Sequence, residues 1–239
     1  MSTFHRLGVP RNRLHLIRNG IDYGWFSAAA MTETQKSAWR RAHRIPLADL
    51  IAVCVARVDP LKNHGLLLQA VQYASGMGVQ VVLVCVGEEI PGREAYRQSL
   101  EQMAERLGVA DRVIWAGYQD DVRDWMAMAD VAVLASRKEG VSLALTEAGA
   151  IGLPLMGSAV GGIPEIVRHG QTGLLFDAAD VPGCAAAFVE FARNPEIRRT
   201  MGMAAQQLVR TEFNSTAWDE QWSRLLAGLA AGSSVESTL

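Results

Sequence analysis

Three shortages narrow what this 239-residue chain can be. Cysteine is scarce: Cys54, Cys85 and Cys184 are widely spaced, with no C-x-x-C pair and no histidines at zinc-ligand spacing, which excludes a disulfide scaffold and a cysteine-based metal centre. Two of the three sit inside apolar runs, so they read as small buried side chains of a protein kept in a reducing compartment. Charge of one sign is lacking, because 23 basic residues against 25 acidic ones leave a formal net charge of -2. No global field therefore draws the chain to nucleic acid or to an anionic membrane. Long hydrophobic runs are missing too: none reaches the roughly 18 residues of a membrane span, and Met-Ser-Thr-Phe-His-Arg at the start is not the core of a signal peptide. G-x-G-x-x-G, the Walker lysine motif and G-x-S-x-G are absent, which argues against hydride transfer, nucleoside triphosphate hydrolysis and serine hydrolase chemistry. What remains, 49% hydrophobic and 20% charged residues with 22 glycines, is the composition of a globular protein with ample core.

Six short apolar runs stand out: Leu50 to Ala56, Gln80 to Val86, Arg112 to Trp115, Asp130 to Ala135, Pro154 to Gly157 and Gly173 to Phe176. They are aliphatic and do not alternate, the signature of strands buried on both faces. Helical patterns fill the gaps. His64 to Ser75 repeats Leu67, Leu68, Val71 and Ala74, and Glu94 to Leu107 carries Leu100, Met103, Ala104 and Leu107 on one stripe. Asp121 to Met128, Ser142 to Ile151 and Pro182 to Ala192 follow, then two helical stretches after Asn194-Pro195, Glu196 to Glu212 and Thr216 to Leu229. The alternation predicts an α/β fold, a Rossmann-like doubly wound parallel sheet with helices on both faces. The segment from Trp25 to Pro46, with its basic stretch Lys36 to Arg44, reads as a lead-in and not as another α/β unit.

In such a sheet ligands bind beyond the carboxyl ends of the strands, where loops meet helix N-termini. The residues in those loops are Arg57, then Gly87-Glu88-Glu89, Gly117-Tyr118, Ser136 to Gly140 and Gly161-Gly162. Arg57 and Lys62 lie five apart across a turn at Asp59-Pro60. Either they converge on one anion, a guanidinium fork beside a mobile ammonium, or they are solvated loop cations. Glu139 and Glu147 flank the start of a helix in apolar surroundings. A carboxylate there needs hydroxyl donors or cations to offset its burial, which suits a polyhydroxylated ligand; the alternative is an exposed stripe. The free amides from Gly140 through Val141 and Ser142 to Leu143 face the same space. Gly161-Gly162 would let backbone approach a ligand, and Glu165 is either a first-turn dipole partner or a ligand group.

Taken in order, Asn19-Gly20-Ile21-Asp22 with Phe26, Ala56-Arg57-Val58-Asp59-Pro60-Leu61-Lys62, Gly87, Gly117, Asp130 to Ser136, Glu139-Gly140 through Glu147-Ala148, Gly152-Leu153-Pro154, Gly161-Gly162-Ile163-Pro164-Glu165 and Thr172-Gly173-Leu174-Leu175 resemble the C-terminal, donor-binding half of family-4 retaining glycosyltransferases of the GT-B fold. The likeness runs through almost the whole chain. It implies that Arg57 and Lys62 bind the donor diphosphate in place of a metal ion, with Glu139 on the sugar hydroxyls as the third catalytic residue. Glu147 would take the ribose, and Gly87, Gly117, Tyr118, Gly140, Val141, Ser142, Gly161 and Gly162 would complete the donor site. Val141-Ser142 departs from the family's usual aromatic or aliphatic residue and Pro, which alters the pocket wall.

The resemblance implies a UDP- or GDP-sugar as donor substrate, no cofactor and no metal. It also implies a separate N-terminal acceptor domain as partner, no nucleic acid, and cytoplasmic location with at most peripheral contact at the inner face of the membrane. The expected organisation is an interdomain lead-in over 1–48, a nucleotide-sugar-binding domain over 49–193, C-terminal helices over 194–231 and a frayed tail over 232–239. The expected function is hexosyl transfer to a glycan or lipid-linked acceptor in cell-envelope polysaccharide synthesis. The alternatives are a non-catalytic nucleotide-sugar binding module left after loss of the acceptor domain and, less favoured, a sugar-nucleotide epimerase of the same fold.

Overall fold

The computed structural model describes residues 8, 10, 14–46, 49–92 and 94–230, so the expected tail over 232–239 lies outside the described residues. Six strands form one parallel sheet: β1 (Leu50–Val55), β2 (Val81–Val86), β3 (Val113–Gly117), β4 (Val131–Leu134), β5 (Leu155–Ser158) and β6 (Gly173–Phe176). Their spatial order is β3-β2-β1-β4-β5-β6. β1 and β2 are in register from Leu50 opposite Val81 to Val55 opposite Val86. All six coincide with the apolar runs of the sequence; the central strands β1, β2, β4 and β5 are covered on both faces and have no solvent side on which to place polar residues, while the edge strand β3 is half-buried along its length.

The helices are α1 (Tyr23–Ser27), α2 (Glu33–Ala42), α3 (His64–Gly76), α4 (Glu94–Arg106), α5 (Arg123–Ala127), α6 (Leu143–Ile151), α7 (Ile163–Ile166), α8 (Val181–Arg193), α9 (Pro195–Glu212) and α10 (Ser215–Ala230). α3 packs against α8 and α4, while α6 packs against α9 and α1. Phe188 and Phe191 of α8 and Leu67 and Leu68 of α3 have no exposed surface. Each such side chain contributes about 1.5–3 kcal/mol through burial.

α2 falls in the segment read from sequence as a lead-in and not as another α/β unit. Thr32 caps it in a reciprocal box: the Gln35 amide donates to Thr32 Oγ1 at 3.3 Å and the Thr32 amide donates to Gln35 Oε1 at 2.8 Å. The helix is bound to the sheet by a buried cation. Arg40 Nη1 donates to Asp49 O at 2.6 Å and Nη2 to Asp130 Oδ2 at 2.5 Å, while the same Asp130 oxygen accepts the Ile51 amide at 2.8 Å. One guanidinium thus ties α2 to the beginnings of both β1 and β4. α10 is the opposite case. It has no buried residue, and Trp218, Trp222, Leu226 and Leu229 are exposed along it.

Candidate functional site

In the order β3-β2-β1-β4-β5-β6 the chain's direction of travel across the sheet reverses between β1 and β4. The loops that leave those two strands part there and open a crevice at their carboxyl ends. The loop after β1 runs through Asp59, whose carboxylate accepts the Leu61 amide at 2.8 Å and starts a short turn of 3-10 helix over Pro60–Lys62. Asn63 follows at φ 57°, in the left-handed region, and this lets the chain turn directly into α3. The loop after β4 meets it: the Arg137 amide donates to Leu61 O at 2.8 Å.

These two loops bring Lys62 and Glu139 together. Lys62 Nζ lies 2.5 Å from Glu139 Oε2, and the same oxygen accepts the Ser136 hydroxyl at 2.9 Å. Ser136 is fully buried, and its carbonyl accepts the hydroxyl of Ser158 at the end of β5 at 2.6 Å. Glu139 is therefore fixed by a cation from β1's loop and a hydroxyl from its own. The sequence places Ser136 in a ligand-edge loop but gives its hydroxyl no role, and Ser158 was not singled out, since a serine carries no signal of what its hydroxyl will reach. Arg57, the other expected cation, is exposed and has no hydrogen bond or ion pair among the described residues.

Glu147 lies one turn inside α6, half-buried and outside the Lys62–Glu139 pair. No described residue donates to its carboxylate, and burial pushes its pKa above the ordinary glutamate value. It is an acceptor without a donor. Ser142 is buried and caps α6, its hydroxyl accepting the Leu145 amide at 3.3 Å. No hydrogen bond among the described residues engages the amides of Gly140, Val141 or Ser142. Val141 is partly buried against the core, and no atom outside its own neighbours would meet a Cβ on Gly140. Tyr118 is exposed beyond β3, and a hydrogen bond to Asp120 raises its pKa.

The glycines serve a purpose that spacing did not reveal. Gly161 has φ +55°, and a Cβ there would lie 1.8 Å from Glu139 O; the neighbouring Gly162 amide donates to Gly140 O at 3.1 Å. Gly87, at φ +133°, would place a Cβ 2.2 Å from Ala56 O, while its amide donates to Gly117 O at 2.8 Å. The close approach that requires glycine is thus to the adjacent loop, β5's turn against Glu139 and β2's against Arg57, with the ligand space beyond. Glu165 is likewise engaged within the chain, accepting Arg18 Nε at 2.9 Å.

Among the described residues no three His, Cys, Asp or Glu side chains cluster as a metal site would require. At this edge Arg57 is a cation without a partner among the described residues and Lys62 is shared with Glu139, with the open amides of Gly140 to Ser142 in the loop that carries Glu139.

The family model for group 1 glycosyl transferases matches residues 35–208. N-acetyl-alpha-D-glucosaminyl L-malate synthase of Bacillus anthracis is 30% identical over 212 residues, which is 88% of this chain and 52% of that protein. The chain spans about half the length of the curated relatives it matches. Among solved structures, Anabaena Alr3699/HepE in complex with UDP superposes with a TM-score of 0.87 at 23% identity, over 95% of this chain and 61% of that one. The C-terminal domain of a group 1 glycosyl transferase (LpcC) from Francisella tularensis superposes with a TM-score of 0.70 at 22% identity, over 82% of this chain and all of that domain. At those identities the likeness to both is one of fold.

Proposed function

The chain belongs to the group 1 glycosyl transferases, and from that premise we propose that it is the donor-binding half of a retaining enzyme. In this reading it transfers a hexosyl unit from a UDP- or GDP-sugar to a glycan or lipid-linked acceptor once an N-terminal acceptor domain closes over the site. The observation that carries the reading is the Lys62–Glu139–Ser136 cluster, which bridges the loops of β1 and β4 at the one crevice where a doubly wound sheet takes its ligand. The solved relatives' complexes with UDP and UDP-glucose support a nucleotide-sugar as that ligand.

Transfer breaks the bond from the anomeric carbon to the diphosphate oxygen and forms one from that carbon to an acceptor hydroxyl. The acceptor's proton leaves to the departing phosphate oxygen on the same face, so configuration is retained. Charge builds on the diphosphate as an oxocarbenium-like sugar develops beside it, and fixed cations are the main catalytic resource. Arg57 and Lys62 supply them without a metal. Glu139, held against Lys62, accepts from the sugar hydroxyls, and ribose hydroxyls give the half-buried Glu147 carboxylate the donors it lacks. Gly87, Gly117, Tyr118 and the Gly140 to Ser142 amides line the remainder of the donor site, with Gly161 and Gly162 holding its loops.

In this reading the exposed Trp218, Trp222, Leu226 and Leu229 of α10 would be covered by the acceptor domain. The enzyme would act in the cytoplasm, at most peripherally at the inner membrane face, in cell-envelope polysaccharide assembly; no described helix is long and apolar enough to cross a membrane.

Calorimetric titration with UDP, UDP-glucose and a GDP-hexose tests the donor assignment. Lys62→Ala is expected to weaken UDP binding by about 1–3 kcal/mol, the range for a charge-assisted contact. Glu139→Gln is expected to spare UDP and weaken the UDP-sugar. Unchanged UDP affinity in the first variant removes Lys62 from the site, and equal loss of both ligands in the second contradicts the sugar role. Binding that is never accompanied by transfer, even with an added acceptor domain, would favour a non-catalytic module.

A further inference from the structure

A groove of about 680 Å³ runs between α3, α4 and the loop into α8, and neither Lys62 nor Glu139 lines it. Leu66, Leu100 and Met103 supply its apolar lining and the Gln69 amide and Tyr96 phenol its polar lining, while the buried Asn63 amide is taken up by Ala178 O and Arg137. From Tyr96 to Arg106 it follows α4 for about 15 Å, at 1.5 Å per residue. A cation stands at each end, Arg137 beside Asn63 and Tyr96, and Arg106 in the last turn of α4.

These two arginines, like Arg57, reach no carboxylate among the described residues, whereas several others do. Arg97, Arg112, Arg123, Arg168 and Arg199 each reach a carboxylate. Arg137 donates only to the Asn63 side-chain oxygen, at 3.3 Å, and Arg106 has no partner among the described residues. Asp177 is the one acid lining the groove, and its carboxylate accepts the Ala179 amide at 2.8 Å. The lining therefore keeps a net positive charge beside its apolar part, with an amide and a phenol to meet hydroxyls.

We propose that this groove is a second ligand site, for a small sugar bearing one oxyanion. The phosphate or carboxylate sits on Arg137 and the C–H face of the ring lies over Met103 and the edges of Leu66 and Leu100, while Arg106 adds positive charge farther along the groove. A guanidinium fork pairs with either anion. The volume is that of a small-molecule pocket. The site does not overlap the donor crevice but adjoins it, because the Arg137 amide is bound to Leu61 O in the loop that ends at Lys62.

Amide chemical-shift titration of the full chain with glucose 6-phosphate, glucuronate and glucose tests the assignment, with and without saturating UDP. The two anions share a hexose body and separate phosphate from carboxylate recognition. The expected result is saturable shifts at Gly65, Gln69, Ser99 and Ala179 with at least one anion, none with glucose, and no displacement by UDP. Arg137→Gln is expected to weaken binding about tenfold, and Arg106→Gln with Arg137→Gln to abolish it. Both side chains are exposed, so the variants keep the fold. Absence of saturable shifts with both anions overturns the proposal. So does equal affinity in Arg137→Gln, or shifts confined to Gly87 and Gly140 that UDP removes. Failure of UDP to bind would defeat the donor reading and leave the groove's shifts in place, so the two outcomes are separable.

Discussion

His64 should make the fold lose about 2 kcal/mol between pH 7.5 and pH 5. The imidazole is fully buried at the first position of α3, with Nε2 3.9 Å from Cys54 Sγ and Nδ1 without any hydrogen-bond partner. Burial lowers its pKa from 6.5 to about 4, helped by the nearby charges of Lys62 and Arg97 and opposed by that of Asp59. The folded value lies below the unfolded one, so the unfolded chain takes up the proton first. Stability is unaffected by this group above pH 6.5, falls as pH drops through the window down to about 4, and levels off below it. At pH 5 nearly every unfolded molecule and about a tenth of folded ones carry the proton, which gives the 2 kcal/mol; the full cost at lower pH is about 3 kcal/mol, at 1.36 kcal/mol per pKa unit. Urea denaturation of the natural chain and of His64→Leu at both pH values measures it. Carboxylates contribute equally to both proteins, so the difference of differences isolates the histidine. If both proteins lose the same stability on acidification, His64 is not the buried neutral group described here.

Two further substitutions test how the crevice and the opposite edge are held. Arg40→Met leaves the part-buried Asp130 with only the Ile51 amide among the described residues, and is expected to cost about 3 kcal/mol, the low end of the loss when a buried pair is broken; adding Asp130→Asn, which keeps an acceptor for Ile51, should recover much of the loss in denaturant midpoint, and no recovery would mean the charge is not what matters. Gly161→Ala meets both a left-handed φ and the Glu139 carbonyl, so a loss of about 2 kcal/mol or more with weakened UDP-sugar binding is expected, against near-neutrality for Gly140→Ala, whose Cβ points into open space; equal effects of the two would refute the clamp.

The central strands were legible because burial on both faces leaves an unbroken aliphatic run, and the loops of the ligand edge followed because a parallel sheet sends every carboxyl end to the same side. α2 was missed for the converse reason. Its ten residues from Glu33 to Ala42 are mostly polar, and what attaches it to the body is the charged Arg40, which any reading by hydropathy assigns to solvent. The legible trace was the capping box, Thr32 with Gln35 three positions later. The pairing of Lys62 with Glu139 is hidden for another reason. The two are 77 residues apart, and they meet only because β4 pairs with β1 instead of β3, a strand order that the alternation of helix and strand does not encode.

The glycines sharpen what kind of site this is. The pair Gly161-Gly162 reads in sequence as room for a ligand beside the backbone, and the resemblance puts Gly87 in the donor site; in the structure each also makes room for a neighbouring loop, Gly161 against Glu139 and Gly87 against Ala56. Any side chain at either position would push apart the loops that carry Glu139 and Arg57. The polar edge is therefore assembled before a donor arrives: Lys62, Ser136 and the Gly161 turn hold Glu139, and Gly117, Gly87 and Ala56 lock together under Arg57. On the proposed reading, a site in which Lys62 and Glu139 are already placed has little to reorganise as charge develops on a leaving diphosphate. Glu147 is a half-buried acceptor at this edge that no described residue satisfies, with its pKa raised by burial. Ligand hydroxyls would remove that penalty on binding, so in the bound state its pKa should fall back toward the ordinary glutamate value. Carboxyl-carbon NMR titration of Glu147 with and without UDP would register the drop; an unchanged value in the saturated complex would take the ribose off Glu147.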